Sequence, residues 1–426
     1  MRFPRNVALL YGAAFLRSAS IGLLGVVLAV YLSRTGFSAT AIGMVLAAGL
    51  AGSAAATAIA SRYGDRFGRR LVLIVAALVS ACGGLALAFV HSPAVLVVLA
   101  FVCMLNGMGT DRSAAFAVEQ AVIPGSVGDR RRTWALSWYN VVLDTSGALG
   151  ALAGALPVAI QVWTGIGLLT SYRWVFLFYT ALNLANAAVY LFLDAQVEVA
   201  VPQGVLAKPT AISPEARRMV HRIAALFALD SAGGGFLADA LLAYWFFSRF
   251  GVNERSLGLL FFAVRILNAL SHLGAAWLAK RIGLVRTMVF THLPSSVFLL
   301  LVPLASSFRI AAILLLLREA LVEMDVPTRQ SYVAAMVQPH ERVYASGVTN
   351  LTRTGAWAVT ASASGALMQH VAFSAPLVLG GAMKILYDFL LYRSFRHLTP
   401  PEEREEHDVL VPLNPNSLQF TKGRSS

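Results

Sequence analysis

Apolar runs of about the length needed to cross a bilayer recur from one end of the chain to the other, and this settles its solvent before any motif is read. A helix rises 1.5 Å per residue, so roughly 20 apolar residues cover a hydrocarbon core of about 30 Å. Such runs lie at 7–33, 38–61, 71–91, 94–121, 133–160 and 170–193, and again at 217–248, 254–280, 285–305, 308–337, 343–370 and 373–395. Of 426 residues, 58% are hydrophobic and 13% charged, against about 25% charged in soluble domains. In lipid each backbone polar group must be satisfied inside its own segment, which selects helices. The expectation is an all-α membrane protein of twelve transmembrane helices, partnered by the lipid bilayer.

The formal net charge of +13 raises nucleic acid as a partner, but its distribution argues for no nucleic acid. Counted with helix ends, 22 of the 34 Lys and Arg fall on one alternate set of loops and termini, 5 on the other set and 7 inside helices. That asymmetry is the positive-inside pattern. It places both termini, the central linker and the loops after helices 2, 4, 8 and 10 in the cytoplasm, in a multi-pass protein of the cell membrane. Cys82 and Cys103 both lie in apolar runs and read as small packing residues. Arg17 interrupts the first run and eleven more follow, so that run reads as a retained span and not a cleaved signal.

The chain repeats itself. Laying residue n on residue n+215 across the second span of each half holds register without a gap for 36 residues. Ser33, Arg34, Gly36, Gly43, Arg66 and Gly68 then fall on Ser248, Arg249, Gly251, Gly258, Arg281 and Gly283. Many of these positions are loops and helix ends, where shared apolarity cannot produce agreement. Two copies in the same orientation predict a pseudo-two-fold along the membrane normal. The expected organisation is an N-terminal six-helix bundle over 1–193, a cytoplasmic linker over 194–216, a C-terminal six-helix bundle over 217–395 and a disordered cytoplasmic tail over 396–426.

The loop after the second span reads Ser61-Arg62-Tyr63-Gly64-Asp65-Arg66-Phe67-Gly68-Arg69-Arg70 and resembles the cytoplasmic signature of the major facilitator superfamily. Ser61 departs from the Gly usual at the first position, and the second copy, Lys280-Arg281-Ile282-Gly283, has Lys280 where an Asp would stand. Asp129-Arg130 and Pro339-His340-Glu341-Arg342 are similar to further loop motifs of that family. The resemblance implies two six-helix bundles of the major facilitator type. It also implies that Asp65, Arg66, Gly68, Arg69 and Arg70 form a conformational latch between the halves. On physical grounds Gly68 permits a tight turn and the Arg cluster stays at an anionic leaflet. Two departures leave the direction of transport open: Cys103 stands four residues before Gly107 where many proton-coupled exporters carry Arg, and Pro157 stands apart from Gly147, Gly150 and Gly154.

A charge at the bilayer centre costs about 2.5–3.5 kcal/mol even on the lenient insertion scale, so buried charges require a reason. Eleven of them sit on helices 1, 4, 7 and 10: Arg17; Asp111, Arg112 and Glu119; Asp230 and Asp239; Arg318, Glu319, Glu323, Asp325 and Arg329. In the resembling family those four helices line the central cavity. The candidate solute-binding residues are accordingly Arg17, Arg112, Asp230, Arg318 and Arg329, with Glu119, Glu323 and Asp325 as proton-coupling carboxylates. Helical spacing puts Arg318, Asp325 and Arg329 on one face, and Arg112 with Glu119 on another. Gly233-Gly234-Gly235, between Asp230 and Asp239, fits either a break in helix 7 or a packed glycine interface with each Asp bonded to a neighbouring helix. Asp144, Arg265, Arg353 and Asp388 read as structural partners.

No phosphate-cradling loop, metal-ligand cluster or nucleophile with a nearby base is present, so neither enzyme chemistry nor a cofactor is expected. The expected function is a secondary active transporter working by alternating access as a monomer, with proton-coupled efflux of small organic compounds as the leading form. The alternatives are a proton-coupled symporter of an organic or inorganic anion and a non-transporting membrane receptor of the same fold.

Overall fold

A computed structural model describes residues 4–90, 92–111, 113–127, 132–198, 213–325, 329 and 342–395; of helical residues 61–62 and 65–66 it describes the backbone alone. The first half holds α1 (Arg5–Arg34), α2 (Ala39–Phe67), α3 (Arg69–Phe89), α4 (Pro93–Cys103), α5 (Ala114–Ser126), α6 (Arg132–Ala153), α7 (Leu156–Thr164) and α8 (Leu168–Leu191). The second holds α9 (Pro214–Gly235), α10 (Asp239–Phe250), α11 (Glu254–Ile282), α12 (Leu284–Leu301), α13 (Phe308–Val322), α14 (Arg342–His370) and α15 (Ala375–Phe395). Eight stretches among the described residues are each long and apolar enough to cross a membrane. The architecture is that of twelve spans, with α4–α5, α6–α7 and α9–α10 each forming one divided span.

The helix ends follow from local chemistry. Ser38, Ser113 and Ser307 cap α2, α5 and α13, each hydroxyl accepting a bond from a first-turn amide that has no partner within the helix. Gly68 and Gly283 start α3 and α12 at φ +94° and +87°, and Gly36 and Gly251 end the preceding spans at +87° and +64°. Such angles are cheap only for glycine. Both pairs are related by the offset of 215, and so are the bounds of α2 and α11 and the first residues of α3 and α12 and of α4 and α13. The duplication read from loops is therefore a duplication of backbone.

Small residues set how closely the spans approach, because helix association in lipid depends on packing and not on a hydrophobic drive. An added Cβ at Gly22 would lie 2.2 Å from the Gly147 carbonyl oxygen, and one at Gly150 would lie 2.0 Å from that of Ala19, so α1 and α6 touch backbone to backbone. Gly43 meets Gly365 of α14, and its repeat partner Gly258 meets Ala151, Leu152 and Ala155 near the end of α6. These two contacts join the bundles in a pseudo-symmetric pair. Side chains such as Val162, Trp163, Val359 and Phe389 remain exposed, as a lipid-facing surface requires.

The two ends of the molecule differ. In the half remote from the chain termini, one continuous core contains residues of both bundles, from Leu23–Leu32 and Tyr172 to Leu241, Trp245, Phe261, Leu299 and Leu377. At the termini end the bundles keep separate cores, one built around Leu10, Ile123, Tyr139 and Tyr190 and the other around Phe227, Met288 and Tyr387. At the remote end Arg34 Nε donates to Glu254 Oε1 at 2.7 Å, and Tyr172 Oη donates to the same oxygen at 2.5 Å. The Thr40 amide donates to Gln369 at 3.1 Å. Glu254 thus crosses from one bundle into a fully buried socket of the other.

Candidate functional site

Of the eleven charges predicted on helices 1, 4, 7 and 10, eight are buried and Asp239 and Glu323 are half-buried among the described residues, and the tertiary structure sorts them into two hubs and a seam. In the N-terminal bundle Arg17, on α1, donates from Nε to Asp111 Oδ2 at 2.6 Å and from Nη1 and Nη2 to the two oxygens of Glu119 at 3.0 and 2.7 Å. Its remaining donors reach Tyr190 Oη at 2.6 Å and Tyr139 Oη at 3.2 Å. A guanidinium has five N–H donors, so none is left over. The two tyrosines also donate to Glu119, at 2.6 and 2.7 Å, which fills the four acceptor positions of that carboxylate. Arg112 lies outside the described residues.

This closed arrangement limits what the N-terminal hub does. A solute reaches Arg17 only by displacing one of its partners, and a proton reaches Glu119 only by displacing a donor. Beside it lies a cavity of about 30 Å³ edged by Arg17, Ser20, Ser53, Asn106, Asn183 and Asn186. Both amide atoms of Asn186 are buried there without a partner among the described residues. That volume has room for water, which would satisfy the amide; it has no room for an organic solute.

The hub of the C-terminal bundle is a carboxylate. Asp230, on α9, receives Arg329 Nη1 on Oδ2 at 2.9 Å and Lys384 Nζ on Oδ1 at 2.7 Å. Arg329 Nη2 lies 2.8 Å from Asp325. His292 Nδ1 lies 2.9 and 3.0 Å from the oxygens of Asp388, with Nε2 3.4 Å from Lys384 Nζ and 3.6 Å from Asp230. Asp325 and Arg329 meet as their spacing predicts. Arg318 parts from them, because α13 ends at Val322 and the chain turns at Glu323 and Met324; it pairs with Glu319 instead.

Between the hubs, at the seam of the two bundles, several spans lose their regular helix. Span four opens over residues 104–111, where Met104 and Gly109 take positive φ, and span seven opens over 236–238, next to the three glycines. The openings touch: the Ala240 amide donates to the Gly107 carbonyl at 3.0 Å. Asp239, first residue of α10, pairs with Arg265 of α11 beside Gly109, so the structural partner expected at Arg265 is met at the seam. Arg318 Nε and Arg265 Nε are buried without a partner among the described residues.

The loop motif has an unexpected partner. Glu198, placed in the linker by sequence, accepts from the Arg69 and Arg70 amides at 2.6 and 3.1 Å and lies against Gly68. A carboxylate at two free N-terminal amides complements the helix dipole of α3. Arg70 Nη2 donates to the Leu191 carbonyl at 2.5 Å, Arg5 pairs with Asp194 at 3.2 Å, and Val197 is buried in the first bundle. Residues 194–198 therefore pack as part of that bundle, and Gly68, Arg69 and Arg70 bind its closing turn. The side chains of Asp65 and Arg66 lie outside the described residues.

Comparison with known proteins agrees with the architecture. The Major Facilitator Superfamily profile matches residues 10–317 and 224–422, and the chain belongs to that superfamily. It is 25% identical over 417 residues to the uncharacterized membrane protein YJR124C of Saccharomyces cerevisiae, covering 91% of this chain and 93% of that one. Its fold is similar to that of a mutant of the nucleoside transporter NupG (TM-score 0.74, 13% identity, 92% of this chain and 100% of the other). It is likewise similar to the D-xylose-proton symporter (0.67, 15%, 91% and 96%) and to an inward-facing, unoccupied bacterial homologue of the human lysosomal transporter Spinster (0.70, 13%, 92% and 97%). The chain is a multi-pass membrane transporter of a small-molecule solute and not an enzyme.

Proposed function

We propose that the chain is a proton-coupled secondary transporter that exports small organic compounds across the cell membrane by alternating access, as a monomer with both termini in the cytoplasm. The observation that carries the reading is the asymmetry between the two ends: one core shared by both bundles at the remote end, two separate cores at the termini end. With 22 of 34 cationic residues biased to the termini side, the arrangement corresponds to a transporter closed towards the outside. Solute meets the protein at the seam, where Gly107–Gly109 and residues 236–238 leave the regular helix beside Asp239, Arg265 and Arg318. Discontinuous helices at a repeat interface are where transporter sites are built.

In this reading Asp230 and Arg329 set the position of α9 against span ten, and Glu323 and Asp325 lie where rocking of that span changes their partners. Asp65, Arg66 and Arg69 work as the latch, with Glu198 holding the turn at Gly68. The test is flux in proteoliposomes loaded with a panel of labelled organic cations, neutral compounds and anions, with and without an imposed pH gradient. Gradient-accelerated movement supports the reading; equal rates with and without the gradient overturn proton coupling. A second reading, symport of an organic anion, draws on the partnerless Nε donors of Arg265 and Arg318. In that case Arg318→Ala abolishes uptake of the anionic members alone.

A further inference from the structure

We infer that His292, held between Asp388 and Asp230, is a proton-binding site whose occupation displaces Lys384 from Asp230. No family motif in the chain includes it, and α12 and α15 lie outside the four spans expected to line the cavity. Yet His292, Asp388, Lys384 and Asp230 are all within 5% of full burial. Each joins the next by a contact of 2.7 to 3.6 Å.

Charge counting gives the first reason. The connected group holds three carboxylates, Asp230, Asp325 and Asp388, against two fixed cations, Arg329 and Lys384. With a neutral imidazole it carries one net negative charge, and one proton on His292 brings it to zero. Leaving an uncompensated charge in a buried network is costly. The titratable and charged groups facing the imidazole are Asp230 from α9 and Lys384, Tyr387 and Asp388 from α15, with Arg329 and Asp325 one contact beyond.

The geometry says what that proton does. Nδ1 lies within 3.0 Å of both oxygens of Asp388, and an ionised carboxylate only accepts, so in the neutral ring the proton belongs on Nδ1. Nε2 then presents a lone pair to the Lys384 ammonium at 3.4 Å. A second proton turns that lone pair into a donor facing a cation, and aims it at Asp230 Oδ1, the oxygen Lys384 already occupies at 2.7 Å. Asp230 Oδ1 has two acceptor positions, but two cationic donors 3.4 Å apart on one oxygen repel each other, and Lys384 has the flexible stem that yields.

The displaced contact borders the moving parts. Gly233 and Gly380 bring α9 and α15 together one turn away, with Lys384 Cγ 3.1 Å from a Cβ built on Gly233. From Asp230 the same span runs into the opening at 236–238 and the Ala240 to Gly107 bond between bundles. For its use in transport the inference rests on the proton-coupled reading; the protonation itself does not.

The experiment is nuclear magnetic resonance of the full chain in lipid nanodiscs with ¹³C,¹⁵N-labelled histidine, in parallel with distances between spin labels on the termini ends of the two bundles. The His292 resonance, assigned by its loss in His292→Gln, should pass from the Nδ1–H neutral tautomer to the imidazolium as the pH is lowered. Asp388→Asn, which keeps the histidine, should abolish the Nδ1–H preference and supplies the assignment if His292→Gln does not fold. Lys384→Met should leave His292 titrating while removing the pH response of the label distance. A ring in one protonation state throughout, or an Nε2–H tautomer when neutral, overturns the proposal, as does an unaltered distance response in Lys384→Met. A titrating His292 in a protein whose flux ignores the pH gradient upholds the site and sinks the proton-coupled reading.

Discussion

In the N-terminal bundle the buried network is organised around a cation, Arg17, whereas in the C-terminal bundle it is organised around a carboxylate, Asp230. Both hubs sit on the first span of their repeat, and the offset of 215 brings Arg17 to position 232, two residues from Asp230. Backbone plan, turn glycines and interface glycines were kept through the duplication, while the sign of the central charge was not. The surroundings differ to match. Arg17 and Glu119 are saturated by each other and by two tyrosines, which makes a lock. Asp230 accepts from Arg329 and Lys384 and lies 3.6 Å from His292, which itself approaches Lys384; these are the contacts proposed to exchange.

The largest effect that tests this contrast is expected from Asp230→Ala, which leaves Arg329 and Lys384 buried without their shared carboxylate. Breaking a buried pair by removing one partner costs about 3–5 kcal/mol, and the upper part of that range is expected here because two cations lose a partner. Thermal unfolding of detergent-solubilised protein measures it; a loss under about 1 kcal/mol would remove Asp230 from the centre of the network. Arg17→Ala should fall at the lower part of the same range, since Tyr139 and Tyr190 continue to donate to Glu119. If Arg17→Ala proves the more damaging of the two, the assignment of lock and exchangeable hub is reversed.

A smaller loss is expected from Tyr190→Phe, which removes one hydroxyl bonded to both Arg17 and Glu119. Hydrogen bonds to charged groups contribute about 1.5–3 kcal/mol. Unfolding midpoints and gradient-driven flux should fall together, because the lock serves stability; flux falling alone would give Tyr190 a part in solute handling. The smallest effects sharpen the similarity and not the difference. Gly36→Ala and Gly251→Ala meet open space, yet both hold positive φ, so each should cost on the order of 1 kcal/mol through backbone strain alone. Unequal costs at the two sites would mean that the repeat is less alike at its turns than the shared φ values imply.

Several features of this site are legible along the chain. Gly233-Gly234-Gly235 marks the place of the break in span seven, and the concentration of charge on helices 1, 4, 7 and 10 announces buried networks. Asp388 reads along the chain as a structural partner with none named, Lys384 escapes because a single charge in an apolar helix shows no partner, and His292 is one of eight scattered histidines. Their signal is faint but real: the spacing puts Lys384 and Asp388 on one face of α15. The opening at 104–111 is foreshadowed only by Asn106, Gly107 and Gly109. Glu198 gives no sign of being the cap of a helix that begins 129 positions earlier.

The spans, the duplication and the two-bundle architecture are determined by the sequence alone, because partition into lipid is summed over roughly 20 consecutive residues and is nearly indifferent to what lies elsewhere. Turn glycines behave likewise, since φ is a property of one residue. The partners of the buried charges are decided by the tertiary structure. Arg17 finds Glu119 across 102 residues and Asp230 finds Lys384 across 154, and a buried ion pair exists only where the packing of separate helices delivers both groups to within a few ångströms. The glycine contacts that set helix separation therefore also set which carboxylate meets which cation, and with it which hub is closed and which is proposed to exchange.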